Sequence, residues 1–433
     1  MLSEHYASIA INNVKEGKRK LAHAYLRLAC LQTNTSDYIY LLRLEAEVWE
    51  GEWCVALNYI NRVEPVKLAV SDQCRYYWVC ARLFNALGKK RLSLTYFNWA
   101  MERNNSAQWQ NMMRELRLAL PLAGRVTKQL FFPGGFANNG CMLHIASKQP
   151  RFITKFFIEY DNYFRETFFY QRCISRLASN FILEPVYYSG SSNPFMTISL
   201  PYINQSEIDV EPIEVIPKAE VLGLTKDLAR IDLDVISLNK LRVPASPLSL
   251  GRNMVNFRNV LFNTHHTTSC RYLRLMLVYS LRKIKCLRDI SDAAKQYALD
   301  IGFFFLKRNP FKEIQSAGSL DNGLCHSDLK GDNIILSRDD KFYIIDWGNL
   351  SFGPLGYDIG VFVSEANLPY LEVKHLLHDY FPFSKRNKFF TWWVCYFHCL
   401  RNLEKKKENH FGEALLFLRN NIMSMDSNVA ELR

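Results

Sequence analysis

Between His326 and Gly348 the chain reads HSDLKGDNIILSRDDKFYIIDWG, and few stretches of this length narrow a fold so far. The pattern is H-x-D-x-x-x-x-N, two short apolar runs around a polar turn, then I-D-W-G. That order predicts a loop, a β-hairpin and a second loop opening on a lone carboxylate. Asp328 and Asn333 stand five residues apart, and Asp346 follows 13 residues after Asn333. Asp339 and Asp340 fall at the hairpin bend and read as turn formers. Two carboxylates and an amide on one hairpin suit Mg²⁺, a hard cation that takes oxygen ligands and accompanies phosphates.

Moving a γ-phosphoryl group asks the protein for alignment and charge neutralisation rather than covalent work. A carboxylate must meet the acceptor hydroxyl, and a carboxylate with an amide must hold metal. On that reading Asp328 is the catalytic base, Asn333 and Asp346 are metal ligands, and His326 pins the loop.

The rest of the chain gives such a site a well-cored setting. With 433 residues, 48% of them apolar and 14% aromatic, there is room for two or three domains. The eleven cysteines include no CxxC pair, and their odd number and irregular spacing argue for free thiols in a reducing compartment. Cys395 and Cys399, beside Trp392 and Trp393, read as core packing. The N-terminal residues lack the basic-then-apolar order of a signal peptide, and no apolar run reaches the ~18 residues of a membrane span, so a cytoplasmic protein is expected. A net charge of +12 suits anionic partners. Its clusters at 18–20, 89–91, 385–388 and 405–407 form no single stripe, which argues against a nucleic-acid footprint.

The first 120 residues repeat. Gly17, Gly51 and Gly88 are 34 and 37 residues apart. Each is followed at plus four by Leu21, Val55 or Leu92, at plus five by Ala22, Ala56 or Ser93, and at plus eight by Tyr25, Tyr59 or Tyr96. Eleven residues before each glycine stands Tyr6, Tyr40 or Tyr77, and Ala29, Val63 and Ala100 mark a further small position. A period near 34 with a turn glycine and small residues predicts stacked helical hairpins, the tyrosines filling gaps between them. The region resembles tetratricopeptide repeats, without their usual tryptophan and closing proline. A helix over Trp109–Leu120 would cap the stack.

From Gln129 the periodicity turns to short β-like runs. Gly134 and Gly135 would let backbone approach a phosphate, and Asn138 tolerates the accompanying turn. Lys155 stands in the next apolar strand, where a lone cation is costly to bury. It is expected to hold the nucleotide α and β phosphates, oriented by Glu166 on the following helix, with Glu159 the second candidate. Phe181–Tyr188 and Phe195–Ile203 read as two more strands, the latter entering a hinge near Leu200–Asn204. Downstream, helices are expected over Tyr272–Arg288, Ser291–Lys307, Tyr370–Tyr380, Arg386–Leu403 and Gly412–Asn421. The FFFL run at Phe303–Leu306 reads as core, and the paired His265 and His266 carry no metal-ligand spacing.

These motifs resemble the aminoglycoside phosphotransferase and choline kinase-like family, which shares the bilobal protein-kinase fold. GGFANNG is similar to the family's glycine turn, Lys155 and Glu166 to its lysine and helix glutamate, and HSDLKGDN with IDWG to its catalytic loop and metal motif. The likeness covers about Gln129 to Leu400. It implies ATP and Mg²⁺ as cofactors, and a role for Asp358 in GYDI as a brace that accepts backbone hydrogen bonds from the catalytic loop. Ser327 stands where the family more usually has glycine. Lys330, two residues after Asp328, resembles the lysine with which Ser/Thr protein kinases neutralise the γ-phosphate. Only about ten residues separate Asp346 from Gly356, little room for a peptide-binding activation segment.

The expected fold is therefore α+β: a bilobal kinase-like domain after an all-α repeat domain, divided as 1–120, 121–204 and 205–433. The expected activity is phosphoryl transfer to a hydroxyl of a small-molecule or glycan acceptor. In the family the helices after Asp358 form the acceptor pocket, so Trp392, Trp393, Tyr396 and Phe397 are candidates either to line it or to fill the core. Alternatives are a protein kinase whose protein partner is recruited through the repeats, and a nucleotide-binding pseudokinase scaffold.

Overall fold

The computed structural model describes residues 2–15, 19–32, 35–103, 120, 126–132, 140–147, 149–157, 160–177, 181–188, 196–205, 212–243, 257–263, 267–312, 320–366, 368–379, 384–406 and 411–424. The chain forms two compact units, Met1–Tyr160 with Pro185–Tyr202 and Leu250–Asn253, and Asp161–Glu184 with Ile203–Ser249 and Met254–Arg433.

The first unit begins with six helices: α1 (Leu2–Lys15), α2 (Arg19–Cys30), α3 (Asp37–Glu50), α4 (Trp53–Ile60), α5 (Val70–Ala86) and α6 (Lys90–Glu102). They pack as three pairs, α1 with α2, α3 with α4 and α5 with α6, and the middle pair touches both others. Gly51 and Gly88 follow α3 and α5 with φ of 77° and 71°, the left-handed conformation that stops a helix and that glycine adopts without a Cβ penalty. Gly17, the first of the series, and nearly all of the helix expected over Trp109–Leu120 lie outside the described residues.

Each recurrent small position is buried. Ala22, Ala56 and Ser93 are at most 1% exposed, and the Ser93 hydroxyl on α6 donates to the Ala81 carbonyl of α5 at 2.8 Å. Ala29, Val63 and Ala100 are buried too. The tyrosines pack against cores shared by neighbouring pairs, and in addition each meets its mate inside its own pair. Ring centroids lie 6.2 Å apart for Tyr6 and Tyr25, 6.4 Å for Tyr40 and Tyr59, and 6.1 Å for Tyr77 and Tyr96. A residue 11 before the turn and one 8 after it stand ~16 and ~12 Å along their helices, so folding the pair brings them side by side.

A further regularity sits 14 residues before each glycine, at Ser3, Asp37 and Cys74. The Ser3 hydroxyl donates to Ala29 O at 3.0 Å and the Cys74 thiol to Ala100 O at 3.1 Å. In the middle copy the polarity reverses, and Asp37 Oδ1 accepts the Glu64 N–H at 2.6 Å. One register position thus ties the start of each first helix to the end of its second.

Five antiparallel strands complete this unit: β1 (Val126–Phe132), β2 (Gly140–Ala146), β3 (Gln149–Phe157), β4 (Tyr187–Tyr188) and β5 (Met196–Pro201), in the order β1-β2-β3-β5-β4. Lys155 on β3 lies opposite Cys141 of β2 and Ile198 of β5. The other face carries a buried chain of hydrogen bonds, His144 Nε2 to Thr154 Oγ1 and Thr154 Oγ1 to Ser199 Oγ, both 2.8 Å. Of the strand expected over Phe181–Tyr188 only Tyr187 and Tyr188 join the sheet. Pro185 interrupts it, since proline cannot donate to a ladder, and Ile182, which belongs to the second unit, bridges Ile344 within that unit.

The second unit is mostly helical. Its elements are α7 (Tyr160–Phe168), α8 (Lys218–Ala229), α9 (Val235–Leu241), α10 (Phe257–Phe262), α11 (Thr267–Cys286), α12 (Asp292–Arg308), β6 (Asn322–Cys325), β7 (Ile334–Leu336), β8 (Phe342–Ile344), β9 (Ser351–Pro354), α13 (Tyr357–Glu365), α14 (Lys385–Lys406) and α15 (Phe411–Met423). β6 pairs with β9 and β7 with β8. Trp392, Trp393, Tyr396 and Phe397 are all buried. Trp393 packs edge-on against Phe305 at 5.0 Å and the Tyr396 hydroxyl donates to Ala298 O at 2.8 Å, so of the two expected roles these aromatics take that of core. Of the FFFL run only Phe305 is fully buried, and Phe303 is exposed, because consecutive residues of a helix point around its axis.

An all-helical start, an antiparallel sheet bearing a lysine on β3, a helix bearing a glutamate, and then a mostly helical part around a loop and hairpin are the order of a kinase-like α+β fold. If the small repeat positions set the distance between paired helices, Ala56→Leu will cost about 1–3 kcal/mol. Val55→Ala next to it, on an exposed position, will stay within about 0.5 kcal/mol. Urea unfolding of both variants, followed by helix circular dichroism, checks the contrast.

Candidate functional site

The expected catalytic segment lies wholly in the second unit, and its backbone is held by a buried acid. β6 carries the chain inward to Cys325, and two N–H groups then point at one carboxylate: His326 N–H donates to Asp358 Oδ2 at 2.7 Å and Ser327 N–H to Asp358 Oδ1 at 2.8 Å. Asp358 sits in the first turn of α13 and is 3% exposed. The helix can come this deep because Gly360 lets it approach α14 closely: a Cβ there would stand 2.8 Å from the Val394 side chain and 2.9 Å from Thr391 O. Burial pushes the Asp358 carboxyl above its ordinary value, opposed by the nearby His326 and by the two N–H donors. The bracing role expected for Asp358 is what these bonds perform.

His326 is the pin that was expected. Its Nε2 lies 3.0 Å from Ile345 O, and its ring lies 4.4 Å from that of Trp347. Trp347, wholly buried, stacks flat on Phe169 and donates its indole N–H to Ile344 O at 3.2 Å. The two ends of the motif, His326 and Trp347, are thereby packed together.

Within this frame Asp328, Lys330 and Asn333 gather. Asn333 Nδ2 donates to Asp328 O at 2.7 Å and to Asp328 Oδ2 at 3.1 Å, while Lys330 Nζ lies 3.2 Å from the same Oδ2. Asp328 and Lys330 remain open to solvent, their side chains 29% and 35% exposed, whereas Asn333 is buried. Ile345 N–H donates to Asn333 O at 2.9 Å, which sets the backbone before Asp346 beside Asn333. Asp346 itself adopts φ of 65°, a left-handed conformation that aspartate tolerates better than most residues.

The donor set fits a hard cation. Because the Asn333 amide nitrogen faces Asp328, its oxygen is the atom left to meet a metal, and Asp346 would be the residue to add a carboxylate. Among the described residues no three His, Cys, Asp or Glu side chains group as a metal site. A set of one carboxylate and one amide matches the habit of Mg²⁺, which completes its shell with water and phosphate oxygens.

Lys155 is buried on β3 and Glu166 is buried on α7, the first in one unit and the second in the other. Gly134, Gly135, Asn138, Glu159, His265 and His266 lie outside the described residues.

Three residues near the motif went unread in the sequence. Asn387 on α14 donates Nδ2 to Asp321 O and Leu355 O at 2.8 and 2.9 Å and accepts the Asp321 N–H at 2.9 Å, tying the outer ends of β6 and β9. Arg165, next to Glu166, and Arg258 on α10 both reach the turn after Asp346. A basic residue in a run as aromatic as YFRETFFY is the one signal that pointed to Arg165.

Residues 270–386 match the phosphotransferase enzyme family, a span that contains the loop, the hairpin and Asp358. No curated protein matches the chain. Solved structures similar to it include an aminoglycoside 2'-phosphotransferase in complex with GDP, at 13% identity over 73% of this chain and 98% of that one, with a TM-score of 0.40. A spectinomycin phosphotransferase with ADP and spectinomycin matches at 13% over 72% and 93%, TM-score 0.38. A ternary complex of streptomycin, ATP and an aminoglycoside 2''-phosphotransferase matches at 14% over 72% and 95%, TM-score 0.38.

Ser327 holds φ of 68° at the position where the resembling family more usually has glycine, and a side chain in that region costs roughly 1–2 kcal/mol. Ser327→Gly will therefore fold at least as stably as the parent. Ser327→Val, β-branched and forced into the same conformation, will lose more than about 2 kcal/mol. Thermal unfolding of the pair measures the difference.

Proposed function

We propose that the chain is an ATP- and Mg²⁺-dependent phosphotransferase that moves the γ-phosphoryl group to a hydroxyl of a small-molecule or glycan acceptor. The observation that carries this reading is the grouping of Asp328, Lys330 and Asn333 on a loop braced by Asp358, inside the segment that matches the phosphotransferase family. In it Asp328 accepts the proton of the attacking hydroxyl. The Asn333 amide holds the Asp328 carboxylate in place, and the Lys330 ammonium, beside the same carboxylate, would offset charge on the transferred group. Asn333 and Asp346 would hold Mg²⁺, which when bound neutralises phosphate oxygens. Lys155, oriented by Glu166, would bind the α and β phosphates, with Gly134, Gly135 and Asn138 forming the turn over them.

A small acceptor is favoured over a peptide by what fills the span from Asp346 to Gly356. It is occupied by a tight turn and β9, and α13 follows at once. We assign 1–120 to the helical repeats, 121–204 to the nucleotide-binding part and 205–433 to the catalytic and acceptor part. We read the eleven irregularly spaced cysteines as thiols of a cytoplasmic protein, and among the described residues no helix is long and apolar enough to cross a membrane. Lys330 is the residue that favours the second reading, a protein kinase served by its helical repeats.

Asp328→Asn is expected to lower turnover by roughly 10²–10⁴-fold while ATP affinity stays within about threefold. An ATP-consumption screen over hydroxylated metabolites and glycans, run beside that variant, is the measurement. Consumption that Asp328→Asn leaves intact would rule the reading out.

A further inference from the structure

The turn that follows Asp346 is gripped by two arginines from different helices. Arg165 on α7 directs Nη1 to Leu350 O, to Ser351 Oγ at 3.1 Å and to Leu241 O at 3.0 Å, and Nη2 to Lys240 O at 3.0 Å and Arg242 O at 3.3 Å. Arg258 on α10 directs Nη1 to Asn349 O at 2.8 Å and to Asn349 Oδ1 at 3.1 Å. The Ser351 hydroxyl donates to Asn349 O at 2.7 Å. Consecutive carbonyls, those of Asn349 and Leu350, are thus each fixed by a guanidinium.

The arrangement is expensive for a purely structural tie. Arg165 is buried, and its hydrogen bonds go to four carbonyls and one hydroxyl, none to a carboxylate. Removing a cation from water costs several kcal/mol, and the Asp161 carboxylate, the smallest of the influences acting on Arg165, offsets only part of it. Burial pulls the Arg165 guanidinium down to about 10, and the neighbouring Arg258 pushes the same way, so the two cations repel across one turn. The carbonyls at the end of α9 offset part of this, since a helix C-terminus attracts positive charge.

What the grip holds is specific. Trp347, Gly348 and Asn349 form the tight turn directly after Asp346, and Ser351 opens β9 opposite Cys325, the residue before His326. Arg165 also adjoins Glu166 in sequence. We propose that Arg165 and Arg258 are positioning residues that lock the post-Asp346 turn, and through it the metal-holding carboxylate and the catalytic loop, in one permanent arrangement. The helix of Glu166 is fastened to the same turn. This inference rests on the reading of Asp346 as a metal ligand.

The test uses the full chain as Arg165→Lys and Arg258→Lys, both of which keep the positive charge but cannot fork to several carbonyls. Amide hydrogen exchange and ATP affinity are measured well below the unfolding temperature, the latter with Mg²⁺ and with EDTA. Exchange over 347–352 is expected to quicken about tenfold or more while α14 exchanges as in the parent. Affinity for ATP with Mg²⁺ should fall about 10–100-fold, the usual effect of losing an outer support of a metal site, with affinity in EDTA unchanged. Exchange that rises evenly through the second unit, or Mg²⁺-dependent affinity that stays at the parent level, would overturn the clamp. A parent protein whose ATP affinity ignores Mg²⁺ would instead sink the phosphotransferase reading itself, and the metal role of the clamp with it.

Discussion

A single buried carboxylate organises the candidate site. Asp358 accepts the N–H groups of His326 and Ser327, and with those two amides fixed the chain has little choice in where Asp328 emerges. Directly after those two amides the chain turns through Ser327, whose left-handed backbone sets the direction in which it continues to Asp328. Gly360 makes room for the helix that delivers the carboxylate, and Asn387 fixes the strands on either side. The geometry of the candidate loop depends on packing between α13 and α14, far along the sequence from it.

Much of this was legible beforehand because the motif is local. Spacing within His326–Gly348 reports directly on a loop and hairpin, and Asp340 does turn the hairpin with φ of 55°. The repeat was legible for a related reason: small residues and turn glycines recur at fixed offsets, and Ala22, Ala56 and Ser93 are buried as a shared register requires. Tertiary choices were harder to read. That the tyrosines also meet as mates within each pair follows from offsets on both sides of the turn, which a list of recurrent residues does not display. The strand expected over Phe181–Tyr188 gave way at Pro185. Arg165 and Arg258 act on carbonyls more than 90 residues away along the chain, and no local pattern encodes such a contact.

The three tyrosine pairs and the three end-ties at Ser3, Asp37 and Cys74 show that repetition extends beyond hydrophobic spacing to polar bonding. The middle copy makes its tie with donor and acceptor exchanged, so the position is preserved by geometry and not by residue type.

The central claim is that Asn333 and Asp346 form the metal-binding half of a phosphotransferase site. Crystals grown with Mn²⁺ and a non-hydrolysable ATP analogue test it most directly, because the anomalous signal of manganese locates the ion independently of activity. The account predicts a peak at about 2.1–2.2 Å from the Asn333 amide oxygen and an Asp346 carboxylate oxygen, with nucleotide phosphate oxygens completing the shell. An ordered nucleotide with no metal at those two side chains, or manganese bound elsewhere in the chain, would contradict it.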